Sequence, residues 1–260
     1  MPLHVELRGS GPPLVLLHGF TQTGRLWGPF GDRLAEGRTL VALDLPGHAG
    51  SDAVRADLPT AADLVAEAVR TAIATERCDL LGYSLGARVG LHVLTGTDLD
   101  VGRVVLIGVT AGIEDAGERQ RRKDADEATA DALETSGDVS AFVDSWLSGP
   151  LFEHLPDEAA ARGERMRNTA SGLASSLRSC GTGTQEPLWD RLASLQPPVL
   201  ALAGSDDSRF AAHAVRLARE ARSAVATLVP GGGHAVHLAQ PDVTFRVVDH
   251  WLDLGRDPSH

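Results

Sequence analysis

A chain of 260 residues with 43% hydrophobic content is long enough for one large α/β domain or two small ones, with ample material for a core. Its formal charge of −11 argues against a nucleic-acid partner, which needs a basic surface, while leaving room for a small anion in a locally cationic pocket. Cys78 and Cys180 lie far apart without metal-ligand spacing, no apolar run approaches a membrane span, and Met1-Pro2-Leu3-His4 carries no signal-peptide pattern. These features point to a cytoplasmic protein with free thiols, no membrane insertion and no metal or organic cofactor.

In chain order, His4 to Arg8 alternates like a short edge strand, and Leu14-Val15-Leu16-Leu17 is a continuous apolar run suited to a strand buried on both faces. It ends in His18-Gly19-Phe20, before a helix expected from about Trp27 to Glu36. Thr39 to Leu43 is a second buried strand, followed by the turn-forming stretch Asp44 to Ser51. Thr60 to Thr75 has helical spacing, with Thr60 as the expected cap. Cys78 to Tyr83 reads as the third buried strand, leading into a helix to about Leu94, and Val101 to Ile107 as the fourth.

The alternation then breaks. Residues 111–187 hold no strand pattern and are charged, Ala-rich and helical in spacing. It resumes with a strand at Pro198 to Ala203, a helix at Ala211 to Arg222, a strand at Ala224 to Val229 and a final helix at Pro241 to Leu252. The expectation is a mostly parallel sheet flanked by helices, built from residues 1–110 and 188–260, with residues 111–187 inserted as a helical lid.

The chemistry is carried by Gly82-Tyr83-Ser84-Leu85-Gly86, a G-x-S-x-G between a strand and a helix. That spacing makes a nucleophile elbow, in which small residues two away on each side allow the tight turn that presents the Ser84 hydroxyl. Serine needs a base and the base an orienting acid. Asp206-Asp207 follows one late strand and Gly231-Gly232-Gly233-His234 the next, with His237 as an alternative base and Asp206 or Ser208 as alternative caps of the helix that follows. The order Ser84, Asp207, His234 is that of the α/β-hydrolase fold, in which the N–H groups of Phe20 and Leu85 would form an oxyanion hole. Arg88, four residues beyond Ser84, lies one turn along the same helix face. Lys123 is the sole lysine, so 23 of the 24 Lys and Arg residues are arginines and a single arginine identifies little by itself.

Five segments together carry a resemblance: Leu17-His18-Gly19-Phe20-Thr21, Asp44 to Ser51, Gly82 to Arg88, Glu118-Arg119-Gln120-Arg121 and Asp207-Ser208-Arg209-Phe210. They make the chain similar, over nearly its whole length, to the 2-succinyl-6-hydroxy-2,4-cyclohexadiene-1-carboxylate synthase (MenH) family of menaquinone biosynthesis. The resemblance implies a lyase that eliminates pyruvate from 2-succinyl-5-enolpyruvyl-6-hydroxy-3-cyclohexene-1-carboxylate, with Ser84 as a triad-activated general base. It implies Asp207 rather than Asp206 as the triad acid, and Tyr83, Arg88, Arg119, Trp146 and Arg167 as substrate-binding residues. Arg121 and Arg122 are assigned to the solvated helix face. The implied partner is a small tricarboxylate substrate, and the chain is expected to be a monomer. The alternative is a serine esterase or carbon–carbon bond hydrolase on the same fold. Ala87 stands where the family's elbow helix has glycine, and residues 21–26 match it poorly.

Overall fold

The apolar runs become the strands of a single seven-stranded sheet in the computed structural model, which describes residues 2–73 and 77–254. The strands are β1 (Val5–Arg8), β2 (Pro13–Leu17), β3 (Thr39–Leu43), β4 (Arg77–Tyr83), β5 (Asp100–Ile107), β6 (Val199–Gly204) and β7 (Ala224–Val229). Their spatial order is β1-β3-β2-β4-β5-β6-β7, with β1 antiparallel to β3 and every other pairing parallel.

Among the described residues the α-helices are α1 (Gly28–Ala35), α2 (Leu58–Ala72), α3 (Leu85–Gly96), α4 (Ala116–Ser136), α5 (Val139–Leu147), α6 (Arg162–Arg165), α7 (Ala170–Cys180), α8 (Ser208–Glu220), α9 (Val236–Ala239) and α10 (Pro241–Asp253).

Alternate side chains of the buried strands divide between two cores. Val15 and Leu17 of β2, with Val41, Leu80 and Val104, pack under α2, α3 and α8. Leu14 and Leu16, with Leu40, Leu81 and Val105, pack under α1, α9 and α10. A two-sided sheet of this kind requires apolar residues at both phases of the strand period, and this is why the central strands are unbroken apolar runs. The register aligns the carboxyl ends, pairing Leu17 with Leu43 and with Gly82, Tyr83 with Ile107, and Gly204 with Val229. The loops that follow these ends all open on one edge of the sheet, where open α/β sheets bind their ligands.

Two helix starts differ from expectation. The cap of α2 is Asp57, whose carboxylate accepts the Thr60 N–H at 2.9 Å, so the helix begins at Leu58 rather than at Thr60. The expected last residue of that helix, Thr75, lies outside the described residues. Helix α8 begins at Ser208, three residues early, because Asp207 itself caps it through the Phe210 N–H.

The stretch between β5 and β6 is helical, as its composition predicts, and holds α4 to α7. Helices α4 and α7 meet along Ala130, Ala174 and Leu177. Arg178 of α7 also reaches Glu127, Asp131 and Glu134 of α4. Such exposed ion pairs contribute at most about 1 kcal/mol each, so the apolar seam sets the pairing. Among the described residues no helix is long and apolar enough to cross a membrane.

Candidate active site

Ser84 sits at the junction of β4 and α3 with φ 51° and ψ −106°, a conformation L residues avoid. Packing around it leaves no alternative. A Cβ on Gly86 would come within 1.9 Å of the Leu17 carbonyl oxygen, so α3 can start this close to β2 only with glycine there. The Ser84 N–H donates to Ile107 O at 2.8 Å and the Gly86 N–H to His18 O at 3.0 Å, tying the turn to both neighbouring strand ends.

The Ser84 hydroxyl lies 3.0 Å from His234 Nε2, and His234 Nδ1 lies 2.7 Å from Asp207 Oδ2. The second oxygen of Asp207 accepts the Phe210 N–H at 3.3 Å, so one carboxylate both caps α8 and orients the imidazole. The sequence offers Asp206 or Ser208 as the cap, but the structure gives the cap and the triad acid to the same residue, Asp207. Asp206 is the outward neighbour, its side chain 42% exposed against 9% for Asp207, and it accepts the Ser205 hydroxyl. The His234 ring is held between Phe210 and Tyr83 at centroid distances of 4.3 and 5.4 Å. It rests where a Cβ on Gly108 (φ +60°) would come within 2.8 Å of His234 Cε1.

His237 is not positioned as a base. It is fully buried against Tyr83, Trp27 and Phe30, away from the serine, and neither ring nitrogen has a partner among the described residues. Burial pushes its pKa down to about 3. His18 and His48, buried in the loops beside the elbow, are held down to about 4 and about 3 for the same reason. Above pH 6.5 these three rings are neutral whether folded or not. Below it the unfolded chain binds protons that the folded chain refuses, so stability falls as pH drops toward about 4, by about 1.4 kcal/mol per pH unit for each ring. Urea unfolding at about pH 7, 6 and 5 is expected to show this loss, and His237→Phe to reduce the slope by one ring's share. An unchanged slope in that variant would show that His237 is not refused its proton.

Two further N–H groups belong to residues at the serine's cavity. Those of Phe20 and Leu85 are donated to no acceptor among the described residues, Leu85 because it is the first residue of α3. Phe20 and Leu85 line the same cavity as Ser84 and His234, about 270 Å³ in volume. Its walls carry three arginines, Arg88, Arg122 and Arg209, and, among the described residues lining it, no carboxylate. In a chain of net charge −11 this is a local inversion of sign. Arg88 is 8% exposed and donates to Cys180 O at 2.7 Å. Desolvation lowers its pKa to about 10, which leaves it charged at neutral pH. Trp146 also lines the cavity, packed edge-on against Phe20 at 5.0 Å, and its buried indole N–H has no acceptor among the described residues.

Of the residues singled out from sequence, Ser84, His234, Phe20, Leu85, Arg88 and Trp146 meet at this cavity, with Asp207 directly behind His234. Three others do not line it. The Arg119 guanidinium is turned back to the carbonyls of Ile113 and Glu114 at 2.9 and 3.2 Å. Arg167 is paired with Glu164 at 2.7 Å, one turn away in sequence. Tyr83 is 2% exposed and lies beneath the site against His234 and His237. Arg122 is the corresponding correction in the other direction. It leaves the solvated face assigned to it because Ala130 and Leu133 turn that stripe of α4 inward, and its Nε pairs with buried Asp126 at 2.9 Å. Counting back from Leu133 through Ala130 and Asp126 reaches Arg122 by helical spacing, a signal present in the sequence. Arg209 carried no such signal. Among the described residues no group of three His, Cys, Asp or Glu side chains is arranged to hold a metal ion.

Four matches to known proteins bear on this site. A model of the alpha/beta hydrolase family matches residues 14–247. The 2-succinyl-6-hydroxy-2,4-cyclohexadiene-1-carboxylate synthase of Serratia proteamaculans (strain 568) is 31% identical over 236 residues, covering 88% of this chain and 89% of its own. The protein of the same name from Escherichia coli (strain SMS-3-5 / SECEC) is 30% identical over 248 residues, covering 93% and 95%. Among solved structures, MenH from S. aureus superposes with a TM-score of 0.90 at 26% identity, over 96% of this chain and 98% of that one.

Proposed function

The chain belongs to the alpha/beta hydrolase family and within it to the 2-succinyl-6-hydroxy-2,4-cyclohexadiene-1-carboxylate synthases of menaquinone biosynthesis, and from that premise we propose how Ser84, His234 and Asp207 eliminate pyruvate from 2-succinyl-5-enolpyruvyl-6-hydroxy-3-cyclohexene-1-carboxylate. The observation that carries this reading is a cavity in which a catalytic serine shares its walls with three arginines and, among the described residues lining it, no carboxylate. The substrate has three carboxylates, on the ring, the succinyl arm and the enolpyruvyl ether. Guanidinium groups bind carboxylates through paired charge-assisted hydrogen bonds. A hydrolase for neutral esters gains nothing from such walls. In this reading Arg122 and Arg209 join Arg88 as carboxylate-binding residues, and Arg119 and Arg167 stand outside that set.

Ser84 acts as a base rather than a nucleophile. The ring proton beside the succinyl ketone is acidified by the carbonyl, and Ser84 removes it as its own hydroxyl proton passes to His234 Nε2. Asp207 stabilises the imidazolium so formed. The charge left on the ketone oxygen is received by the N–H groups of Phe20 and Leu85. The electron pair moves through the ring double bond and breaks the bond from ring carbon to enolpyruvyl oxygen. Pyruvate leaves as its enol or enolate, and the proton held on His234 returns to it or to solvent. No water attacks and no acyl-enzyme forms. The two free, buried thiols are compatible with a reducing compartment, and we assign the enzyme to the cytoplasm.

Parallel assays on the enolpyruvyl tricarboxylate and on an activated neutral ester test the reading. Rapid pyruvate release is expected, with ester turnover slower by at least about a hundredfold in kcat/KM. Fast ester cleavage without pyruvate would make the chain a hydrolase instead.

A further inference from the structure

Phe20, whose N–H is read above as an oxyanion donor, is followed by a residue under unusual constraint. Thr21 is fully buried and has φ +65°. It occupies the third position of a turn closed by the Gln22 N–H on Gly19 O at 3.1 Å and by the Gly19 N–H on Gln22 Oε1 at 2.9 Å. Positive φ at that position ordinarily calls for glycine or asparagine, and a β-branched residue holds it only when its surroundings compel it.

The compelling groups come from the insertion, nearly 150 residues away in sequence. Arg165 of α6, itself fully buried, donates from Nη1 to the Thr21 hydroxyl. Asn168, 4% exposed, donates from Nδ2 to the Thr21 carbonyl at 2.8 Å. The same asparagine accepts the Ala49 N–H at 3.0 Å through Oδ1 and thereby spans two loops at the mouth of the sheet. Glu164, on the same short stretch, accepts the Thr23 hydroxyl at 2.7 Å. Both polar groups of Thr21 beyond its amide are therefore held by lid side chains. Returning Thr21 to negative φ would turn over the peptide that joins it to Phe20 and shift the turn that aims the Phe20 N–H.

We propose that Asn168 and Arg165 are positioning residues for the oxyanion hole: they hold Thr21 in its left-handed conformation, so that docking of the lid completes the site. The proposal rests on Phe20 being an oxyanion donor. It makes the lid part of the catalytic machinery even where it touches no substrate. A role of this kind acts on the transition state, where the negative charge on oxygen develops, and so belongs in kcat.

The test is Asn168→Asp, which keeps the acceptor for Ala49 N–H and replaces the donor to Thr21 O. Expected are a fall in kcat for pyruvate release of about thirtyfold with KM within about threefold, part of what losing a whole oxyanion donor costs. Amide hydrogen exchange over residues 18–24 should quicken by about tenfold, with the thermal midpoint within a few degrees of wild type. In a Thr21→Gly background, where the residue adopts positive φ unaided, the same change should cost no more than about threefold. Equal losses in both backgrounds, or wild-type kcat and exchange in Asn168→Asp, would overturn the proposal. If Asn168→Asp does not fold, Asn168→Ala is measured in both backgrounds and judged by the same criteria. If the wild-type chain released no pyruvate, the synthase reading would fall, and the exchange measurement alone would decide the clamp.

Discussion

Ser84→Ala is expected to lower kcat for pyruvate release by about a thousandfold while KM stays within a few-fold, within the range that a positioned general base contributes. The split follows from the geometry. Ser84 contributes one hydroxyl, hydrogen-bonded to His234 at 3.0 Å, whereas the charged groups proposed to bind the substrate are the arginines of the cavity wall. Alanine keeps the backbone turn and its strain, since both residues carry a Cβ at φ 51°, so the variant isolates the hydroxyl. His234→Ala should cost about as much, and the double variant little more, because the two groups move one proton as a unit. The base reading also makes a prediction that a nucleophile reading does not share. Intact mass measured during wild-type turnover should show no covalent adduct on the protein. An adduct of succinyl or whole-substrate mass that is lost in Ser84→Ala would restore Ser84 as a nucleophile.

How much of this was legible in the sequence depends on how local each cause is. The strands at 14–17, 39–43 and 101–107 were legible because a central parallel strand must be apolar at both phases, and little else of that length is. The triad was legible because its members follow the ends of strands that share one sheet edge. Spacing alone leaves the acid ambiguous between Asp206 and Asp207. What separates them is one residue of backbone direction, which aims Asp207 at His234 and Asp206 at solvent. Among Arg119, Arg121 and Arg122, the arginine that reaches the cavity is decided by the rotation of α4, which Ala130 and Leu133 fix from two to three turns away. The charged composition of that helix masks the inward stripe, because one of its members is a buried aspartate. The hold of Arg165 and Asn168 on Thr21 had no local trace at all. Its partners are 144 and 147 residues apart, and only the folded insertion brings them together.

Arg88→Ala should lower kcat/KM for the tricarboxylate by about a hundredfold, the equivalent of roughly 3 kcal/mol and the upper end for a hydrogen bond to a charged group. Most of the loss should appear in KM. A substrate carboxylate is charged in the ground state and in the transition state alike, so a guanidinium that binds it stabilises both. Arg88 also has a structural duty, because it donates to Cys180 O at the end of α7 and so ties the insertion to α3. Arg88→Lys separates the two roles. Lysine retains a charge on the same helix face but loses the planar fork, so it should recover part of the KM and little of the bidentate geometry. If Arg88 served only to pin Cys180, the alanine variant would show a lowered thermal midpoint, a reduced kcat and an unchanged KM, and raising salt would not alter its deficit relative to wild type. If it binds a carboxylate, wild-type KM should rise with ionic strength, while the variant, already without the contact, should respond less. An equal salt dependence of KM in the two proteins would remove Arg88 from the binding set and leave Arg122 and Arg209 to account for it.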